Sequence, residues 1–93
     1  MARKPKEIEM SILQEIRRGS PVTFIKDKDP DLTDLDGALL ISACEGDSSK
    51  MAALKFKTSP RTIEMWRRNL ITKLGALSWS HAPCEAWRRG ILQ

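Results

Sequence analysis

The 93-residue sequence predicts an all-α protein. Apolar residues recur every three or four positions along most of the chain, which is typical of one face of a helix. Three Trp, two Phe and no Tyr are present, so Leu, Ile, Met and Ala must supply the core, and these residues favour helices over sheets. The apolar runs do not exceed four residues, which is too short to cross a membrane. We expect a cytoplasmic protein.

The first predicted helix covers residues 6–18. Its apolar residues fall on one face: Ile8, Ile12, Leu13 and Ile16. Gly19 and Pro21 are typical of the end of a helix. Residues 20–31 then form a connector that we expect to place Val22, Phe24 and Ile25 on the core. We divide the chain into residues 1–31, an N-terminal amphipathic helix with its connector, and residues 32–93, a second unit.

Four further helices are predicted in residues 32–93. They begin after Thr33, Ser48 and Ser59 and at Pro83, and they end at Gly46, near Phe56, at Gly75 and near Gly90. Ser and Thr are favoured before a helix because their hydroxyls accept a hydrogen bond from a free backbone N–H. Asp36, three residues after Thr33, predicts a capping box.

The predicted helix 60–74 has two different faces. One face carries apolar residues for packing: Ile63, Trp66, Leu70 and Leu74. The opposite face carries Arg61, Glu64, Met65, Arg68 and Thr72. A short helix, a tight turn and a helix of this kind predict a helix-turn-helix, in which the exposed face reads DNA. Arg67 borders the packed face, and we expect its stem to lie along that face with its charge in solvent.

The net charge of +4 lies in the last third of the chain. Residues 59–93 hold six basic and two acidic side chains, whereas the other segments are nearly balanced. This asymmetry favours a polyanionic partner such as nucleic acid. A solvated basic helix is the alternative, and charge by itself does not decide between the two.

Residues 32–78 resemble the LuxR/GerE-type helix-turn-helix domain of bacterial transcription regulators, without a gap. The matching positions are Leu32-Thr33, Asp36, Leu39-Leu40, Glu45-Gly46, Ser48, Lys50, Ala53, Ser59, Thr62-Ile63, Asn69, Lys73-Leu74-Gly75 and Ser78. This resemblance implies a tetrahelical DNA-binding domain, here with an extra N-terminal helix and a divergent last helix. Three departures stand out, namely Trp66 in place of the usual His, Gly37 within a helix, and the small Ala52.

The resemblance also implies roles for individual residues. Glu64, Met65 and Arg68 would face the bases, and the start of the helix adds Arg61 on geometric grounds. The candidates for contact with DNA phosphates are Ser48, Ser49, Lys50, Thr62 and Lys73. The alternative for Thr62 is a local hydrogen bond to the backbone in the first turn of its helix. The last helix of this family commonly carries the dimer contact. Trp79, Trp87, Ile91 and Leu92 would either rebuild that contact or cover the core.

The sequence therefore predicts a stand-alone, sequence-specific DNA-binding regulator that acts as a homodimer on a two-fold symmetric site. The alternative is an interaction protein that pairs with RNA polymerase or another regulator. A relative of sigma-factor region 4 fits the Lys73-Leu74-Gly75 ending less well. We expect no enzyme, cofactor or metal, because His81 is the sole histidine and Cys44 and Cys84 are far apart in sequence. Cys44 is expected in the core.

Overall fold

The computed structural model describes residues 10–93, and this part of the chain is all-helical. Its helices are α1 (Met10–Arg18), α2 (Asp34–Cys44), α3 (Ser49–Phe56), α4 (Pro60–Leu74) and α5 (Ala82–Arg88), with one 3-10 turn at Lys26–Lys28. Residues 6–9 of the predicted first helix lie outside the described part. The predicted all-α class is confirmed, with five α-helices and no strand in residues 10–93. None of these helices has the length and hydropathy that a membrane span requires.

Side-chain hydroxyls begin α2, α3 and α4 as the sequence predicted. Thr33 Oγ1 accepts from the Asp36 N–H at 3.2 Å, and Asp36 Oδ2 accepts from the Thr33 N–H at 3.0 Å, which completes the capping box. In the same way, the Ser48 hydroxyl accepts from the Met51 N–H and the Ser59 hydroxyl accepts from the Thr62 N–H, each at 3.2 Å. These bonds satisfy backbone donors that a helix leaves free at its start. The start of α5 differs, because no side chain caps it and it begins one residue before Pro83.

Helix α2 is the central helix, buried from Leu35 to Ser42 without interruption. It packs against α1, α4 and α5. Helix α1 and the connector cover one side of α2, and Phe24 is the buried connector residue. The prediction that Cys44 is a core residue is wrong. Cys44 is the last residue of α2, where the helix emerges from the core, and it is exposed.

The connector pairs with the C-terminal end of the chain. Thr23 and Gln93 exchange N–H···O bonds of 2.6 and 2.8 Å, and the Ile25 N–H donates to the Ile91 carbonyl at 2.7 Å. This places Phe24 opposite Leu92 in an antiparallel bridge. Ile91 and Leu92 are each only 1% exposed. The sequence left two roles open for these residues, a dimer contact or cover over the core. In the structure they cover the core of their own chain, so their side chains offer no surface to a second copy.

Candidate nucleic-acid interface

Helix α4 is fixed to the body of the protein by one apolar face. Ile63, Leu70 and Leu74 are fully buried, and Trp66 is 7% exposed. The Trp66 ring meets Phe56 of α3 edge to face, with ring centroids 6.2 Å apart and an interplanar angle of 63°. Trp66 is therefore a packing residue, as the sequence indicated. With α4 held on this side, its opposite side faces solvent.

The four residues predicted to face bases all lie on that solvent side. Arg61, Glu64, Met65 and Arg68 are exposed and recur at the three- and four-residue spacing of one helix face. Met65 is 44% exposed, which is high for a large apolar side chain. Arg61, Glu64 and Arg68 form no ion pair with any residue of the described chain. Their hydrogen-bonding groups are therefore open to a ligand.

Several of the predicted phosphate-contacting residues at the helix starts already form hydrogen bonds within the chain. Ser48 and Lys50 are exposed at the start of α3, and the Ser48 hydroxyl accepts the capping bond from Met51. Ser49 is half-buried and accepts from Arg67. The half-buried Thr62 hydroxyl lies 2.9 Å from the Ser59 hydroxyl. Lys50 is thus the member of this group whose charge is open to solvent without an ion-pair partner in residues 10–93.

Lys73, the fifth predicted phosphate contact, lies in a different environment. Its Nζ donates to Asp36 Oδ2 at 2.8 Å and to the Asp31 carbonyl at 3.4 Å. Asp36 is itself buried and forms part of the capping box of α2. The observed contacts of Lys73 therefore join the end of α4 to the start of α2.

The structure adds Lys57, which lies in the turn between α3 and α4 and was not among the predicted contact residues. Lys57 follows α3 with φ at 55°, in the left-handed region, and its side chain is exposed. No acidic side chain of the described part pairs with it. Five cations of residues 49–68 have no ion pair with any described residue: Lys50, Lys57, Arg61, Arg67 and Arg68. A basic residue between two such helices was the signal in the sequence.

The guanidinium of Arg67 makes specific contacts within its own chain. Its Nη1 donates to Ser49 Oγ at 3.1 Å, and its Nη2 donates to the Asp47 carbonyl at 3.0 Å. Its Cζ lies 5.0 Å from the centre of the Trp79 ring. The sequence predicted the charge of Arg67 in solvent, whereas the guanidinium of this half-buried residue is held against residues 47–49 and Trp79.

The two Trp residues of the predicted dimer surface differ in exposure. Trp79 is half-buried beneath Arg67, whereas Trp87 of α5 is 47% exposed. The Trp87 side chain also acts on Cys44, because it lowers the pKa of the Cys44 thiol against the raising effect of burial. Within residues 10–93 no cluster of three or more potential metal ligands is found.

One comparison with known proteins finds a significant similarity. Over 47 residues the chain is 45% identical to FixJ, a transcriptional regulatory protein of Bradyrhizobium diazoefficiens. The matched segment is 50% of this chain and 23% of FixJ, so the chain corresponds to less than a quarter of that protein. No family model matches the sequence, and no solved structure matches it.

Proposed function

We propose that this chain is a DNA-binding segment of a transcription regulator of LuxR/GerE type, with α4 in the major groove. The observation that carries the proposal is the exposed face of α4, where Arg61, Glu64 and Arg68 have no ion-pair partner in the described chain. A helix fixed by one face and open on the other is what major-groove recognition requires. Lys50 and Lys57, on α3 and in the turn, are placed to contact phosphates.

Each side chain on this face suits a particular base contact. The Arg68 guanidinium can donate two parallel hydrogen bonds to the O6 and N7 of a guanine. The Glu64 carboxylate can accept from the amino group of a cytosine, and Met65 can pack against a thymine methyl group. A face with one acidic, one apolar and two basic side chains favours recognition of a particular DNA sequence over binding to any duplex.

The similarity to FixJ supports a role in transcription regulation, and DNA binding follows from it at the same general level. Because the match covers 23% of FixJ, it carries over none of the other activities of that protein. An interaction protein that pairs with another regulator is the second function considered. It is favoured only if the chain fails to bind DNA.

We further propose that two copies bind a two-fold symmetric site. One module with a few base contacts discriminates weakly, whereas two modules that read two half-sites add their free energies. Trp87 is the member of the predicted dimer surface that is exposed in one chain, so the proposed contact centres on it. Trp79 is half-buried against Arg67, and the buried Ile91 and Leu92 contribute nothing.

The test begins by selecting duplexes from a randomised pool with the purified chain and measuring their binding by fluorescence anisotropy at two salt concentrations. The duplex upstream of the coding region of this protein is measured beside them. We expect preferred binding that weakens steeply with salt. Arg68→Ala should lose discrimination at one base pair of each half-site, costing about 1–3 kcal/mol there. Arg88→Ala, which removes the same charge from α5, is the control. No enrichment and no binding at low salt would overturn the proposal.

A further inference from the structure

Arg67 joins three parts of the helix-turn-helix that are separate in sequence. It extends from the middle of α4 to Ser49 and to the Asp47 carbonyl, at the start of α3. Its guanidinium also stacks on Trp79, in the segment that leads to α5. The start of α3 carries Lys50, which is proposed to contact phosphate, so Arg67 lies between the two halves of the interface.

The charge of Arg67 is occupied within its own chain. Nη1 and Nη2 each donate to α3 or the loop before it, and the buried Nε has no hydrogen-bond partner in the described chain. Burial lowers the pKa of this guanidinium, while Glu64 and Asp47 act in the opposite direction. An arginine keeps its charge despite such a shift. With its donors directed inward, Arg67 is not presented to a phosphate as Arg61 and Arg68 are.

We propose that Arg67 is a positioning residue of the DNA interface, which holds the start of α3 in a fixed place relative to the reading face of α4. This inference rests on the proposed function. Phosphate contacts set the register in which a recognition helix meets the bases. A planar guanidinium can bond two acceptors and stack on a ring at once, which a flexible ammonium cannot. Loss of Arg67 should therefore weaken binding without removing a phosphate contact.

The test compares Arg67→Met with Arg88→Met on the selected duplex. Both variants remove one positive charge, but Arg88 is an exposed residue of α5. We expect Arg67→Met to bind about tenfold more weakly, which corresponds to about 1.4 kcal/mol. The slope of affinity against salt should equal that of the wild type, because a lost phosphate contact would reduce it by about one. Amide hydrogen exchange at residues 49–51 should become faster in Arg67→Met and stay unchanged in Arg88→Met.

A second variant distinguishes the positioning effect of Arg67 from a loss of folding. Trp79→Leu leaves the two hydrogen bonds of Arg67 in place and removes the ring on which it stacks. We expect a smaller loss of affinity in the same direction. The double variant should bind no more weakly than Arg67→Met alone, because both changes act through one side chain. Circular dichroism and thermal melting confirm that each variant is folded at the temperature of the binding assay.

Each outcome separates the positioning role from the proposed function. If the wild type does not bind DNA, the proposed function fails and the role of Arg67 fails with it. If the wild type binds and folded Arg67→Met binds equally well, only the positioning role is overturned. A reduced salt slope in Arg67→Met would also overturn it, since Arg67 would then be a direct phosphate ligand.

Discussion

The ring of Phe24 lies where a Cβ on residue 37 would be. Three carbons of that ring would overlap an added methyl group on Gly37. Gly37 is in the central helix α2, where a glycine is intrinsically unfavourable by about 1 kcal/mol relative to alanine. Its absence of a side chain lets the connector pack directly on the helix backbone. The antiparallel bridge to Leu92 holds Phe24 in that place.

We predict that Gly37→Ala destabilises the protein, although helix propensity alone predicts the reverse. Overpacking of a close contact costs about 1–3 kcal/mol, which exceeds the gain in propensity. Thermal unfolding should show a midpoint several degrees lower, at roughly 4–8 °C per kcal/mol for a domain of this size. Gly19→Ala is the matched control, because a Cβ there meets only the Glu15 carbonyl at an ordinary 3.5 Å. Equal or higher stability of Gly37→Ala would contradict the packing described.

The same contact predicts a specific rescue. In a Gly37→Ala background, Phe24→Leu shortens the side chain that the new methyl group meets. The double variant should be more stable than the sum of the two single losses predicts, because the two residues touch. Additive losses, measured by urea unfolding, would show that the two positions are energetically independent.

Lys73→Met is predicted to reduce stability more than it affects DNA binding. The substitution leaves the buried carboxylate of Asp36 without its ion pair, and we expect a loss of about 1 kcal/mol, the upper end for a partly exposed pair. The salt dependence of DNA binding should stay unchanged, because the ammonium is already paired with Asp36 at 2.8 Å. If the slope of DNA affinity against salt is instead lower by about one, Lys73 contacts a phosphate, as the sequence predicted.

Lys57→Gln is predicted to weaken DNA binding uniformly across sequences. Lys57 is exposed without an ion pair in the described chain, so its loss should reduce the salt slope by about one. Lys55→Gln is the matched comparison, because Lys55 Nζ lies 2.7 Å from Asp47 Oδ2. Two lysines only two positions apart should therefore differ in anisotropy titrations. Equal slopes for the two variants would show that the ion pair does not decide which lysine contacts DNA.

Cys44 should react slowly with alkylating reagents in the folded protein. Cys44 is exposed as a residue, but partial burial of its thiol raises the pKa above the ordinary value. The Trp87 side chain acts in the opposite direction, and Glu45 and Cys84 add to the rise. Less thiolate is then present at a given pH. In a Cys84→Ser background, the pH midpoint of iodoacetamide alkylation should be higher in the native than in the denatured chain. A midpoint at or below the denatured value would contradict the burial effect.

The same shift has a consequence for stability. Because the folded thiol has the higher pKa, its contribution to stability is present below the pKa of the unfolded chain. It is lost as the pH rises through the pKa of the folded state. Urea unfolding of the wild type and of Cys44→Ser across that alkaline range should show the wild type losing more stability. Parallel curves would contradict this.

Local signals were sufficient to predict α2, α3 and α4. Thr33, Ser48 and Ser59 begin their helices through hydrogen bonds to residues three positions on, and such bonds depend on neighbouring sequence alone. The two faces of α4 follow from helical spacing in the same way, so the predicted burial of Ile63 and Trp66 and the predicted exposure of Arg61 and Arg68 are confirmed. Arg67, at the border of the two faces, has partners that helical spacing does not report. Cys44 was misplaced because its helix is surrounded by other elements, and periodicity does not report where a central helix leaves the core.

The sequence by itself determined the all-helical class, the starts of α2, α3 and α4, and the side chains on the open face of α4. Tertiary structure alone decided which charges are available: Lys73 is paired with Asp36, Arg67 is bonded to residues 47–49, and Lys57 has no ion pair within residues 10–93. It also decided that Ile91 and Leu92 lie beneath the connector. The physical reason is that helix starts and faces arise from neighbours in sequence. The partner of a charge, and the cover over an apolar residue, come from segments that only folding brings together.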